Sequence, residues 1–359
     1  MRQTLALDRA MRGHPKRTDR LNDATRCENG VAEFASRMIA LQWKRLTVPR
    51  EDQTMMSTFS RRFVPWTGAT LLLVAIWAPG LAQEKKYKPF VVTAPDGVMI
   101  AAQEWGNASG QEILFIHGFS QASLSWQRQV ESDLAKEFRM ITYDLRGHGN
   151  SDKPLQPAKY QEAKAWADEV QAVIERANLK RPVLVGWSYG GRVIGDYLAI
   201  HGAGGLAGLN YVGFVSKSDP SFFGDVLTVP PAMFSEDLAS NIVATRSFLH
   251  NCFEKQPSQD DFEMMLAFNM MVPPKVRANM GRGTLGMDEI LQALNLPVLV
   301  TQGAADKFVL VAAAKHTAGI IPGAKLSVYE GVGHAPFWED AERFNVELAA
   351  FVRMANKTN

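Results

Sequence analysis

Val183-Leu184-Val185-Gly186-Trp187-Ser188-Tyr189-Gly190-Gly191 decides how the rest of the chain is read. Three apolar residues lead into the pattern G-x-S-x-G, and a helix-like stretch, Tyr189–His201, continues from it. A strand turning directly into a helix forces the intervening serine into a strained backbone conformation, which small neighbours must accommodate. That turn lifts the serine Oγ above a sheet at a helix N-terminus, where backbone N–H groups can hold a developing oxyanion. The bland alternative is a glycine-rich βα turn. The strand before it and Gly191 after it favour a nucleophile at Ser188.

Outward from this segment, short β-rich runs alternate with amphipathic stretches, as in a mainly parallel sheet covered by helices. Candidate strands are Phe90–Thr93, Val98–Trp105, Ile113–His117, Met140–Tyr143, Val183–Trp187, Tyr211–Val215, Val298–Thr301 and Lys325–Tyr329. Pro95-Asp96-Gly97 predicts an antiparallel hairpin for the first two. Helix-like patterns cover Tyr160–Ala177, Tyr189–His201, Val309–Ile320 and Glu339–Met354. From Asp219 to Gly286 no strand is legible, but apolar residues recur at helical spacing between prolines. The expectation is a core over residues 88–218 and 287–355, with a helical lid over 219–286.

A serine hydroxyl is a weak nucleophile and needs a base oriented by a third group. On a strand–turn–helix site of this kind the partners follow in the order Ser, Asp or Glu, His. His334, in Gly331-Val332-Gly333-His334, follows the last strand and is the candidate base. Asp306, in Gln302-Gly303-Ala304-Ala305-Asp306, is the candidate acid, able to accept the histidine Nδ1 proton. Asp219, in Ser218-Asp219-Pro220, is its rival, although Asp-Pro also starts turns. The amides of Phe119 and Tyr189 are the expected oxyanion donors. His117 reads as structural. Pocket candidates are Trp126, Trp187, Phe234 and Trp338, with Met233, Met264, Met265, Met270 and Met271 from the lid, since flexible methionines suit varied apolar groups. Most such methionines serve only to pack a lid onto its sheet.

His117-Gly118-Phe119, the run Tyr143-Asp144-Leu145-Arg146-Gly147-His148-Gly149-Asn150-Ser151-Asp152-Lys153-Pro154, the Ser188 turn, Asp306 and the stretch Gly331–Asp340 occur in this order. Together they resemble the α/β-hydrolase superfamily, in particular its small esterases and cofactor-free haloperoxidases, over roughly residues 88–355. The resemblance implies an eight-stranded, mostly parallel sheet flanked by helices and a serine hydrolase acting on a small, largely apolar carboxylic ester or lactone. It assigns Asp144–Pro154 to a structural turn. Haloperoxidase and perhydrolase relatives usually carry proline after the H-G-aromatic element, where this chain has Ser120. Serine rather than aspartate at position 188 argues against dehalogenase and epoxide hydrolase chemistry. Peroxide-dependent chemistry on the same triad and a non-catalytic, ligand-binding role are the alternatives.

A net charge of +2 gives no electrostatic reason to expect nucleic acid as a partner. The expected partner is a small-molecule substrate; oligomeric state is not legible. The histidines lack ligand-like spacing, so neither metal nor cofactor is expected. Arg61 and Arg62, an apolar centre from Thr70 to Ala78, and Gly80-Leu81-Ala82 have the layout of a secretory signal peptide. The expectation is export to the periplasm or beyond, with cleavage near Ala82, or else a retained membrane anchor. Residues 55–82 would then be the signal, translation would start at Met55 or Met56, and the Arg-rich residues 1–54 would be a non-native or disordered extension. Cys27 and Cys252 are the two cysteines. With Cys27 in that extension no structural disulfide is expected, and Cys252, among Phe248, Leu249 and Phe253, reads as a small apolar residue.

Overall fold

The computed structural model describes residues 86–224, 229–283 and 285–357. The extension over 1–54, the segment 55–82 and Cys27 lie outside the described residues. Eight strands form one sheet: β1 (Tyr87–Thr93), β2 (Met99–Gly106), β3 (Glu112–Ile116), β4 (Arg139–Tyr143), β5 (Val183–Trp187), β6 (Gly208–Val212), β7 (Val298–Gly303) and β8 (Lys325–Tyr329). Their spatial order is β1-β2-β4-β3-β5-β6-β7-β8. β2 pairs antiparallel with β1 and β4, and every other pairing is parallel. Gly97 makes the hairpin turn at φ +86°.

The strands β3 to β7 are buried on both faces, which is why they read as nearly unbroken apolar runs. Leu114, Ile116 and Leu184 enter one core with Trp166, Val170, Val193 and Ile194 of the helices Ala163–Arg176 and Tyr189–His201. Ile113, Phe115, Val183 and Val185 enter the other core, against Trp126 and against Phe344, Leu348 and Phe351 of the helix Ala341–Ala355. β5 lies near the middle of the order, so the residue at its carboxyl end is deep in the molecule.

Several boundaries shift from the sequence expectation, and three of the shifts are informative. β6 spans Gly208–Val212 rather than Tyr211–Val215, because Gly213 adopts φ +55° and ends the strand. The pattern Tyr160–Ala177 divides at Glu162 into Ala158–Gln161 and Ala163–Arg176. There Arg146 takes the Lys159 carbonyl and the Trp166 indole takes that of Tyr160, which a continuous helix would use for its own ladder. The last helix starts at Ala341, with a separate turn over Pro336–Glu339.

Between residues 219 and 286 lie the helices Leu238–Cys252, Gln259–Met270 and Pro274–Asn279. Asp237 and Ser258 cap the first two by accepting the amides of Ser240 and Asp261. A bridge between Lys217 and Gly286 brings the two ends of this interval together, so it is an insertion at the end of β6. No helix among the described residues is long and apolar enough to cross a membrane.

His117 joins the loop after β3 to the loop after β4. Its Nδ1 donates to the Gly118 carbonyl at 2.9 Å and its Nε2 accepts the Leu145 amide at 3.0 Å. The His148 ring lies 5.0 Å away, also fully buried. Burial pushes the pKa of His117 down to about 4 and that of His148 to about 3. The unfolded chain, with histidines near 6.5, therefore takes up these protons first as pH falls. Stability is complete above that value and declines as pH drops from 6.5 towards 4, by roughly 3 kcal/mol for His117 alone. Urea unfolding from pH 7 to pH 4 should show this decline; a flat profile would contradict neutral, buried imidazoles.

Candidate active site

The residue at the carboxyl end of β5 is Ser188, with φ +53° and ψ −111°, the strain expected of a strand–turn–helix nucleophile. The turn is possible because its neighbours are glycine. A Cβ on Gly190 would lie 2.3 Å from the Ile116 carbonyl, and one on Gly186 would lie 2.6 Å from Ile194. The Ser188 amide donates to the Val212 carbonyl at 2.8 Å, fixing the turn to the end of β6.

Beside that contact, the His334 ring stands over Gly213, with Cε1 and Nδ1 each 3.0 Å from where a Cβ would be. Side chains at position 213 would evict the imidazole. His334 Nδ1 lies 2.7 Å from Asp306 Oδ2, and both residues are buried. The Asp306 carboxylate is held from the other side as well. Gln302 Nε2 donates to Oδ2 at 3.0 Å, while the amides of Phe308 and Val309 donate to Oδ1 at 2.8 and 3.0 Å. An ionised carboxylate is an acceptor only, so it must meet the proton on His334 Nδ1. With the proton on Nδ1 fixed in this way, Nε2 is the nitrogen of a neutral imidazole that would act as a general base.

The backbone around His334 is fixed too. Its amide donates to the Cys252 carbonyl, and its carbonyl accepts the Trp187 indole N–H, each at 2.9 Å. Glu339 accepts the amides of Gly333, Glu254 and Lys255 and so ties the histidine loop to the insertion. No sequence pattern marked Glu339 for this role; it lies in the motif stretch but its partners are distant in the chain.

Ser188 and His334 line one cavity of about 390 Å³, within the range of small-molecule sites. Phe119 and Tyr189 line it as well. The Gly118 backbone abuts the nucleophile, a Cβ there falling 3.4 Å from the Ser188 Cβ. Tyr189 opens its helix, where the first amides have no intrahelical acceptor. Phe119 follows Gly118 and Tyr189 follows Ser188, so both backbone amides belong to segments next to Ser188. Phe119, Phe248, Phe308 and His334 follow each other at ring separations of 6.1, 5.5 and 5.3 Å, forming one aromatic wall.

The structure divides the expected pocket residues. Trp187 and Phe234 line the cavity. Trp126 does not: it is fully buried between the rings of Phe115 and Phe337. Met233 is fully buried beneath the insertion, where its carbonyl accepts from Asn241 and Arg277. Trp338 is buried under the Arg128 guanidinium, 4.4 Å from the ring centroid. Each of these large side chains gains more by packing in the core than by facing solvent. Met265 is buried in the same way, and none of the expected methionines lines the cavity; Met280 does, beside phenylalanines. Asp219 stays at the surface, accepting the Ser221 amide and hydroxyl, and makes no bond to His334. Cys252 lines the cavity but is fully buried, and burial pushes its thiol pKa up, the opposite of an activated nucleophile. Asp144 accepts the amides of Ser123 and Asn150 and serves its own turn. Among the described residues no group of three or more His, Cys, Asp or Glu could hold a metal ion.

Three arginines that the sequence reading passed over, Arg192, Arg277 and Arg282, also line this cavity. Arg192 stands one helical turn after Ser188, a spacing that could have signalled it. Arg277 and Arg282 come from the insertion, whose packing no local pattern reveals.

Comparison with known proteins agrees with this architecture. The model of the alpha/beta hydrolase family matches residues 113–347, more than half of the chain, and the chain belongs to that family. A non-heme haloperoxidase of Rhodococcus erythropolis is 28% identical over 291 residues, spanning 74% of this chain and 99% of the relative. Among solved structures, a provisionally named aryl esterase from Burkholderia cenocepacia is 38% identical with a TM-score of 0.70, covering 75% of this chain and 100% of that one. The esterase RhEst1 from Rhodococcus sp. ECU1013 is 35% identical with a TM-score of 0.69, covering 75% and 99%.

The Asp306–His334 contact makes a specific prediction. Asp306→Asn keeps an acceptor for the Phe308 and Val309 amides but can present N–H to His334 and reverse its tautomer. Turnover of an ester substrate should fall by about 10³–10⁴-fold with little change in unfolding temperature. Wild-type turnover in the folded variant would exclude Asp306 as the orienting acid.

Proposed function

We propose that this member of the alpha/beta hydrolase family is a serine esterase, cleaving carboxylic esters by acyl transfer through Ser188. The observation that carries the reading is the buried His334–Asp306 contact at 2.7 Å beside a strained Ser188 in the same cavity. The esterase names of the related structures support the same chemistry. Ser188 Oγ attacks the ester carbonyl as its proton passes to His334 Nε2, and the negative oxygen is met by the amides of Phe119 and Tyr189. Collapse expels the alcohol, which takes the proton back from His334. Water then gives a proton to the same nitrogen and attacks the acyl group on Ser188; His334 returns that proton to Ser188 Oγ as the carboxylic acid leaves. Asp306 stays ionised throughout and stabilises the imidazolium.

Perhydrolysis on the same residues is the second reading, favoured by the haloperoxidase relative and by a bifunctional esterase/perhydrolase of Acinetobacter calcoaceticus at 28% identity. One backbone angle weighs against it. Ser120 sits at φ +60°, whereas proline locks φ near −65°. The proline that perhydrolase relatives usually carry cannot occupy this loop conformation, so the loop beside the oxyanion donors is built differently.

A fluorophosphonate probe should label the wild-type protein, and Ser188→Ala should abolish both labelling and hydrolysis of 4-nitrophenyl esters of graded chain length. Folded wild-type protein that takes no label would favour a binding role. Peroxide- and acetate-dependent halogenation of a phenolic dye that outpaced ester turnover would promote perhydrolysis.

A further inference from the structure

The cavity wall is charged on one side only. Among its described lining residues are Arg192, Arg277 and Arg282, and no aspartate or glutamate. Arg282 is neutralised by Asp196, with Nη2 to Oδ2 at 2.6 Å, and its Nε donates to the Tyr189 hydroxyl at 3.0 Å. The other two arginines bond only neutral oxygens. Arg192 reaches the Gly283 carbonyl at 3.2 Å and the Arg282 carbonyl at 3.5 Å. Arg277 is 1% exposed, and its Nη atoms go to the carbonyls of Met233 and Asn269 and to the side chains of Asn241 and Thr245. The Nε of each of these two arginines is buried without a hydrogen-bond partner.

A buried guanidinium is costly unless its charge is met, and proteins ordinarily place a carboxylate beside it. Burial lowers the Arg277 pKa to about 10, which leaves it charged at neutral pH. Two guanidinium groups whose hydrogen bonds go to neutral oxygens therefore line a cavity whose remaining walls are largely aromatic, including Phe214, Phe223, Phe248 and Phe308. Arg192 lies in the helix that follows Ser188, and both residues line this cavity.

We propose that the preferred substrates are esters carrying a carboxylate of their own, received by Arg192 and Arg277 while the aromatic wall takes the hydrocarbon between carboxylate and ester. Half-esters of dicarboxylic acids and esters of carboxylated phenols are the two classes with this chemistry. A guanidinium presents its donors in a planar fork suited to a carboxylate. This rests on the reading of Ser188 as an ester-cleaving nucleophile and sharpens it: the site selects by charge as well as by apolar fit.

Two substrate pairs that differ only in charge provide the test. Monoethyl glutarate is compared with ethyl 4-carbamoylbutanoate, and 4-carboxyphenyl butyrate with 4-carbamoylphenyl butyrate. Wild-type kcat/KM should favour the carboxylate in at least one pair by roughly 10- to 100-fold, and the favoured pair tells whether the anion belongs to the acyl or the alcohol side. Arg192→Met should reduce that ratio by about tenfold. Arg277→Met should do the same, with its unfolding temperature measured because Arg277 also ties the insertion together. Turnover of these esters with no carboxylate preference overturns the inference and leaves the hydrolase reading standing. Turnover of none of the four overturns both.

Discussion

The contact between His334 Nδ1 and Asp306 Oδ2 is the constraint on which the site depends. It joins the loop after β7 to the loop after β8, and a carboxylate there accepts the Nδ1 proton and leaves Nε2 as the nitrogen that can exchange one. Four donors converge on that carboxylate, so the charge is retained in a buried place without a cation beside it. Everything else near the histidine serves to hold it still. Gly213 leaves room for the ring, Trp187 takes its carbonyl, and Cys252 takes its amide. Trp187 immediately precedes Ser188, so one hydrogen bond couples the proposed nucleophile's turn to the base's loop.

The insertion is tied to the same point. Cys252 ends its first long helix, and Glu339 gathers the amides of Glu254 and Lys255 together with that of Gly333. Movement of the insertion would therefore be felt at His334. The arginines Arg277 and Arg282 reach the cavity from the following segment, so the insertion that lines the cavity is also bonded to the loop of His334. A preorganised site of this kind needs little rearrangement when charge develops.

How much of this was legible in the sequence depended on whether a constraint was local. The Ser188 turn, the glycine-rich loop before His334 and the strand before Asp306 each carry their own signal in a few residues, and the structure brings all three together. The strand alternation was legible because both sheet faces are buried. The end of β6 was misjudged because the apolar run continues through Phe214 and Val215, whereas the left-handed backbone at Gly213 decides the matter. The helix break at Glu162 depends on Arg146 and Trp166 claiming its carbonyls, a tertiary event. Trp126, Met233 and Trp338 were expected in the pocket because they fall near the motifs or in the insertion. Proximity in sequence does not say which face of an element turns inward, and all three turned to the core. The arginines went unnoticed for the converse reason, since a charged residue in an insertion ordinarily faces solvent.

The central claim is that Ser188 carries the acyl group between two chemical steps. Rapid mixing of the protein with a 4-nitrophenyl ester, acid quenching within the first turnover, and mass analysis of the digested chain address it directly. A burst of 4-nitrophenol matched by an acyl adduct on the peptide containing Ser188 is expected, with both the burst and the adduct lost when His334 is replaced by alanine. Hydrolysis without any adduct on that peptide, or with the adduct on another residue, would contradict it.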